Sequence, residues 1–167
     1  YVDIKGNVTG WLNELAFAPV DAHPDAMEDE WSGDIGCGVK YFSQDGVVKL
    51  AGNAGLTFGE NLTQAEKLKE VQKLAEQDDP VALDIYDSIG CYLGHTLPFY
   101  ARFYNIKNLL LLGRVTSGKG GERMLERCKQ VLKEEYPELN INILLPDEKS
   151  RRVGQSVAAA GLPEIRK

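Results

Sequence analysis

The residues best suited to chemistry lie in one glycine-rich stretch, Gly113-Arg-Val-Thr-Ser-Gly-Lys-Gly-Gly121, which follows the apolar run at residues 109–112. Glycines let a phosphate or a ribose come close to the backbone, and N–H groups at the start of a following helix favour anions. Gly113, Arg114, Val115, Thr116, Gly118, Lys119 and Gly120 are therefore the candidate nucleotide-binding residues. The stretch fits the phosphate loop G-x-x-x-x-G-K-[S/T] as far as Lys119. Gly120 then stands where a hydroxyl would hold Mg²⁺, and no second acidic strand follows, so a loop of that type is not expected. Two readings stay open: a nucleotide loop of another kind, and a glycine-rich turn that binds nothing.

A second candidate is Asn13-Glu14, set among Trp11, Leu12, Leu15 and Phe17. A carboxylate in apolar surroundings needs donors or a ligand, because burying it alone is costly. Sugar hydroxyls are such donors, and an asparagine both donates and accepts. A surface glutamate, or one held by a structural partner, explains the same residues. The other chemistry-bearing types are scattered. Cys37, Cys91 and Cys128 form no C-x-x-C pair, and His23 and His95 have no partner at ligand spacing. Asp25, Glu28, Asp29 and Glu30 read as a solvated acidic loop before they read as a cation site. Lys149, Arg151 and Arg152 read as a solvated basic cluster, and no Ser–His–Asp arrangement can be assembled.

The elements that must position these residues follow from spacing. Residues 1–10 read as strand and turn, and residues 21–32 as an exposed loop. Apolar residues at helical spacing from about Gly38 to Leu50 predict a short helix broken at Gly46. Thr63 and Glu66 form a capping box ahead of a stripe of Ala65, Leu68, Val71, Leu74 and Ala75. Asp79-Pro80 opens a largely apolar helix that runs to about Tyr104, with a kink at Pro98. On it, Gly90 and Gly94 favour close helix packing. Residues 109–112 read as a buried strand, 122–136 as an amphipathic helix and 139–145 as a second, alternating strand. A last helix is expected at about 152–160. The strand–loop–helix–strand–helix ending predicts an α/β domain with parallel strands.

Composition agrees. The chain has 167 residues, 43% hydrophobic and 26% charged, which suits one soluble globular domain. A net charge of −6 disfavours general nucleic-acid binding. Three unpaired cysteines suggest a reduced, cytoplasmic setting. The longest apolar run falls far short of the roughly 20 residues that span a membrane. The chain opens Tyr-Val-Asp-Ile in what reads as mid-strand, so a piece of a longer protein is expected.

The order of these features resembles the C-terminal half of the ROK family of repressors and sugar kinases, within the hexokinase-like, actin-like ATPase superfamily. Asn13-Glu14-Leu-Ala-Phe17-Ala-Pro-Val20 stands in place of the family's G-E-I-G-H-x-x-V, and residues 30–43, Glu30-Trp-Ser-Gly-Asp-Ile-Gly-Cys37 onward, fit the frame of C-x-C-G-x-x-G-C-L-E-x-x-x-S. Residues 75–82 resemble A-x-x-G-D-x-x-A. Leu112-Gly113-Arg114-Val115-Thr116 resembles the adenosine loop G-G-G-V-S. The end from Pro146 through Gly161 resembles the family's last helix.

The resemblance implies a ribonuclease-H-like (actin-like ATPase) domain, a mixed sheet with packed helices. Residues 1–167 would form a single domain, the C-terminal half of a two-domain protein. It implies an ATP- and Mg²⁺-dependent sugar kinase whose catalytic aspartate lies in an N-terminal half, so this chain alone is expected to be inactive. Glu14, with Asn13 beside it, would hold sugar hydroxyls. Phe17 and Val39 replace a histidine and a second glutamate of the family's sugar site, which keeps open a sugar-sensing repressor or a pseudokinase. Of the zinc thiolates only Cys37 is matched, and one thiolate makes no four-coordinate site, so no zinc is expected. The segment 21–40 is then expected to be held by packing, with Trp31 as the candidate. The expected partners are a small-molecule sugar, the protein's own N-terminal domain and, as an option, a second copy.

Overall fold

A computed structural model describes residues 3, 5–8 and 15–147. The expected helix at 152–160, the basic cluster at 149–152, Asn13 and Glu14 lie outside the described residues. Near the start, Asp3 Oδ1 accepts the N–H groups of Lys5 and Asn7 at 2.8 and 2.9 Å and closes the expected turn.

Three of the helices begin where the sequence offers local caps. Ser43 separates α1 (Gly38–Tyr41) from α2 (Gln44–Asn53), and its hydroxyl accepts the Asp45 N–H at 3.2 Å. The break therefore falls at Ser43 and not at Gly46. Gly46 sits inside α2, where a Cβ would lie 2.5 Å from the Tyr41 carbonyl oxygen. At the start of α3 (Gln64–Glu76), Thr63 Oγ1 accepts the Glu66 N–H at 3.3 Å while Glu66 Oε2 accepts the Thr63 N–H at 2.8 Å. Asp79 Oδ1 caps α4 (Pro80–Ala101) through the Ala82 N–H at 2.9 Å. That helix contains Pro98 and ends at Ala101, earlier than the expected 104.

The chain then forms β1 (Asn108–Leu110), α5 (Gly118–Glu135) and β2 (Asn142–Leu144). The two strands pair in parallel, with Leu109 opposite Ile143, and α5 is the crossover between them. The class is α/β, dominated by helices, and among the described residues the sheet has two strands. Both strands are shorter than their apolar runs. α5 begins four residues before the expected 122, so residues 118–121 of the glycine-rich stretch belong to the helix.

One core gathers Val47, Leu68, Val71, Tyr86, Ile89 and Met124; another gathers Leu93, Leu97, Cys128, Leu132 and Ile143. The first draws mainly on α2, α3 and α4 and the second on α4 and α5, whose contact glycines make close. A Cβ on Gly90 would lie 2.6 Å from the Met124 carbonyl oxygen, and one on Gly94 would lie 2.7 Å from Val131 Cβ. Ile143 is buried against these helices, while Leu110 and Leu144 face outward. Among the described residues no helix is long and apolar enough to cross a membrane.

Overpacking a close contact of this kind costs about 1–3 kcal/mol. At about 2–4 °C per kcal/mol for a chain of this size, Gly90→Val is expected to lower the thermal midpoint by several degrees. Gly52→Val, at a position with nothing within 4 Å of its Cβ, is the calorimetric control for a β-branched residue in a helix.

Candidate functional site

A cleft of about 430 Å³ lies outside the carboxyl end of β1. On one side is the loop 112–115; on the other are Val39 and Lys40 of α1, Phe42 between the helices, and the first turn of α2. The loop has a defined shape. Gly113 sits at φ +102°, where side chains are rarely tolerated, and residues Arg114–Thr116 make one 3₁₀ turn. The Thr116 hydroxyl donates to the Gly113 carbonyl at 2.8 Å, and Gln72 Nε2 of α3 donates to the Arg114 carbonyl at 2.8 Å. Val39, Phe42, Leu68, Leu112 and Val115 give the cleft apolar walls, and Ser43, Gln44 and Asp45 give it a polar edge. Arg114 is exposed at the rim.

Lys40 is 6% exposed, and its ammonium is held at 2.6 Å by Glu30 Oε2 and at 2.9 Å by Asp45 Oδ2. The two carboxylates hold its pKa well above the ordinary lysine value. Lys40 is therefore a structural cation that ties the acidic loop to α2. Asp29, also buried, organises that loop. Its Oδ2 accepts the Ser32 N–H at 2.9 Å, which pulls its carboxyl below the ordinary range, and its backbone bonds Asp34 and Gly33. Cys37 is buried and free. Hydrogen bonds and the Lys40 ion pairs thus secure the segment 27–45. Trp31, expected to pack it, is 84% exposed and touches only the Phe17 ring among the ring contacts described, at 5.7 Å between centroids. Among the described residues no three His, Cys, Asp or Glu side chains are grouped so as to hold a metal ion.

The candidate nucleotide residues divide into two sets. Gly113, Arg114 and Val115 line the cleft, with Thr116 buried beneath them. Gly118, Lys119 and Gly120 form the first turn of α5 and face α3 and α4 instead. Ser117, at the N-cap position, makes no side-chain cap. Glu76 Oε1 takes that role from α3, accepting the Lys119 N–H at 2.7 Å, while the Lys119 ammonium pairs with Asp78. A Cβ on Gly118 would meet the Glu76 carboxylate, one on Gly120 the Tyr86 ring, and one on Gly121 the Thr116 carbonyl. Close packing accounts for these three glycines.

The residues that sequence reasoning missed are Gln72, Glu76, Lys40 and Asp29. Gln72, Glu76 and Lys40 act on backbone or charge outside their own helices, and Asp29 acts within its loop; periodicity carries no sign of either. His95, expected inside a buried helix, faces solvent. Its Nδ1 lies 3.2 Å from the Tyr136 hydroxyl and its Nε2 3.7 Å from Glu135 Oε1. Compared with known proteins, the sequence matches no family model and no curated protein.

The Glu76 contact is testable by stability. Loss of a capping acceptor costs about 1 kcal/mol. Glu76→Ala is therefore expected to lower the denaturation midpoint in urea with an unchanged slope, and Glu76→Gln, which keeps an acceptor oxygen, to lower it less.

Proposed function

We propose that this chain is the C-terminal domain of a ROK-type, hexokinase-like sugar kinase, with a ribonuclease-H-like (actin-like ATPase) architecture, and that the cleft beside 112–115 receives the nucleoside of ATP. The observation that carries the reading is the position of the cleft. In open α/β sheets ligands bind outside the carboxyl ends of parallel strands, and the cleft lies at that end of β1. Val39, Phe42 and Leu68 offer apolar surface to a base. The backbone of 113–115 offers polar groups to a ribose, and the Arg114 guanidinium at the rim suits stacking or an anion.

In this reading Glu14 and Asn13 orient the sugar. A carboxylate of the N-terminal half accepts the proton of the attacking hydroxyl. The Mg²⁺ that would come with ATP would supply positive charge at the transferring phosphoryl group. Lys119 plays no part as a phosphate ligand, because its N–H and its ammonium are both engaged by carboxylates of the 76–78 corner. One observation favours a second reading, a sugar sensor or pseudokinase. Phe17 and Val39 stand where the resemblance places a histidine and a glutamate of the sugar site, so two polar contacts to a sugar are missing.

The test is ADP release by the full-length protein with Mg-ATP and a panel of hexoses and amino sugars. A sugar-dependent rate is expected, reduced about tenfold or more by Arg114→Glu, which reverses a charge at the rim. Lys119→Ala is expected to stay within about threefold, as for a surface ion pair. Absence of a sugar-dependent rate in the folded protein would overturn the kinase reading and leave the sensor.

A further inference from the structure

A second cavity, of about 370 Å³, lies between the loop carrying Asp21 and His23, the end of α1, and helices α2 and α4. That volume falls in the range of small-molecule sites. Two of its polar groups, Tyr41 and Asp21, are fixed by the fold. Tyr41 is buried, donates its hydroxyl to Asp21 Oδ2 at 2.5 Å, and accepts the Met27 N–H at 3.2 Å. Asp21 Oδ1 accepts the His23 N–H at 2.9 Å. Foremost the Tyr41 hydroxyl, and also this backbone bond, hold the Asp21 carboxyl below its ordinary range, so a charged acceptor stands ready at neutral pH. His23 Nδ1 accepts the Asp25 N–H at 3.1 Å. The Asp25 carboxylate lies 3.8 Å from the same Nδ1.

Lys49 supplies the donor. Its ammonium donates to the Asp25 carbonyl at 3.2 Å and lies 5.8 Å from the centroid of the Tyr41 ring. Among the described residues no ion pair joins Lys49 to a carboxylate, although its charge is felt at Asp21. A carboxylate and an ammonium thus share one cavity without closing on each other. Tyr92, edge-on to Tyr41 at 5.5 Å, and Asn53 complete the wall.

A hydroxyl group both donates and accepts, so two adjacent hydroxyls satisfy an acceptor and a donor that stand apart. The local charges, with Asp21 and Asp25 against Lys49, leave one carboxylate in excess and disfavour an anion. We propose that this cavity binds a neutral polyhydroxylated ring, a monosaccharide or a cyclic polyol, with adjacent hydroxyls bridging Asp21 and Lys49 and Tyr92 against the ring. Its described lining shares no residue with the cleft beside 112–115, and the proposal does not rest on the kinase reading.

The experiment is saturation-transfer NMR on the 167-residue chain, titrated with glucose, with myo-inositol and with glucose 6-phosphate. A saturable signal is expected from glucose, from inositol or from both; whichever binds identifies the source of the ring. Lys49→Met, which keeps the stem over Tyr41, is expected to weaken binding about tenfold, the loss of one charged hydrogen bond. Asp21→Asn, which keeps an acceptor for Tyr41, is expected to weaken it as well, and Glu14→Gln to leave it unchanged. If Lys49→Met fails to fold, Asn53→Ala on the exposed rim serves in its place. The proposal is overturned if neither neutral probe gives a saturable signal. It is equally overturned if the signal survives both Lys49→Met and Asp21→Asn in folded protein, is lost in Glu14→Gln, or is stronger for the phosphate ester.

Discussion

The close approach of α4 and α5 is the constraint on which the rest of the structure depends. Gly90 and Gly94 bring the two backbones together, and Gly120 lets the first turn of α5 settle on the Tyr86 ring. The interior is dense, so a displacement of α5 cannot stay local. α5 joins β1 to β2, and the loop that lines the cleft is the segment between β1 and α5. The shape of 112–115 is therefore set by helix packing on its far side, and by Thr116 and Gln72 from beneath.

Electrostatics closes the other wall of the cleft. Lys40 is buried where a hydrophobic residue would pack more cheaply, and two carboxylates make that burial tolerable. The arrangement joins an acidic loop with little apolar content to the helices, which packing alone could not do. Carboxylates serve the α5 terminus in the same way. Glu76 meets the helix N–H and Asp78 meets the Lys119 ammonium, so the anion-attracting end of α5 is satisfied within the fold.

What the sequence made legible was local. The capping box at Thr63 and Glu66, the proline start of α4, the Gly90–Gly94 spacing and the parallel pair around α5 all rest on contacts between near neighbours or on simple periodicity. The misses rest on contacts that periodicity does not show. The start of α5 was hidden because its cap comes from Glu76, 43 positions away. Gly46 read as a breaker because nothing local shows that it passes under the Tyr41 carbonyl. Lys40 carries no signal in the sequence, since its partners lie ten residues before it and five after it, at no helical spacing. For the candidate site, Gly113, Arg114 and Val115 were legible from composition and position. The opposing wall at 39–45 was not, and neither was the separation of Gly118–Gly120 from the cleft.

The central claim is that a nucleotide meets the cleft between residues 112–115 and 39–45, and not the first turn of α5. Backbone amide shifts of the ¹⁵N-labelled chain, followed while Mg-ATP is added, test it most directly. The account predicts saturable shifts centred on Gly113, Arg114, Val39 and Gln44, with Lys119 and Gly120 little changed. Shifts centred on Lys119 and Gly120 would contradict it, as would shifts at neither place.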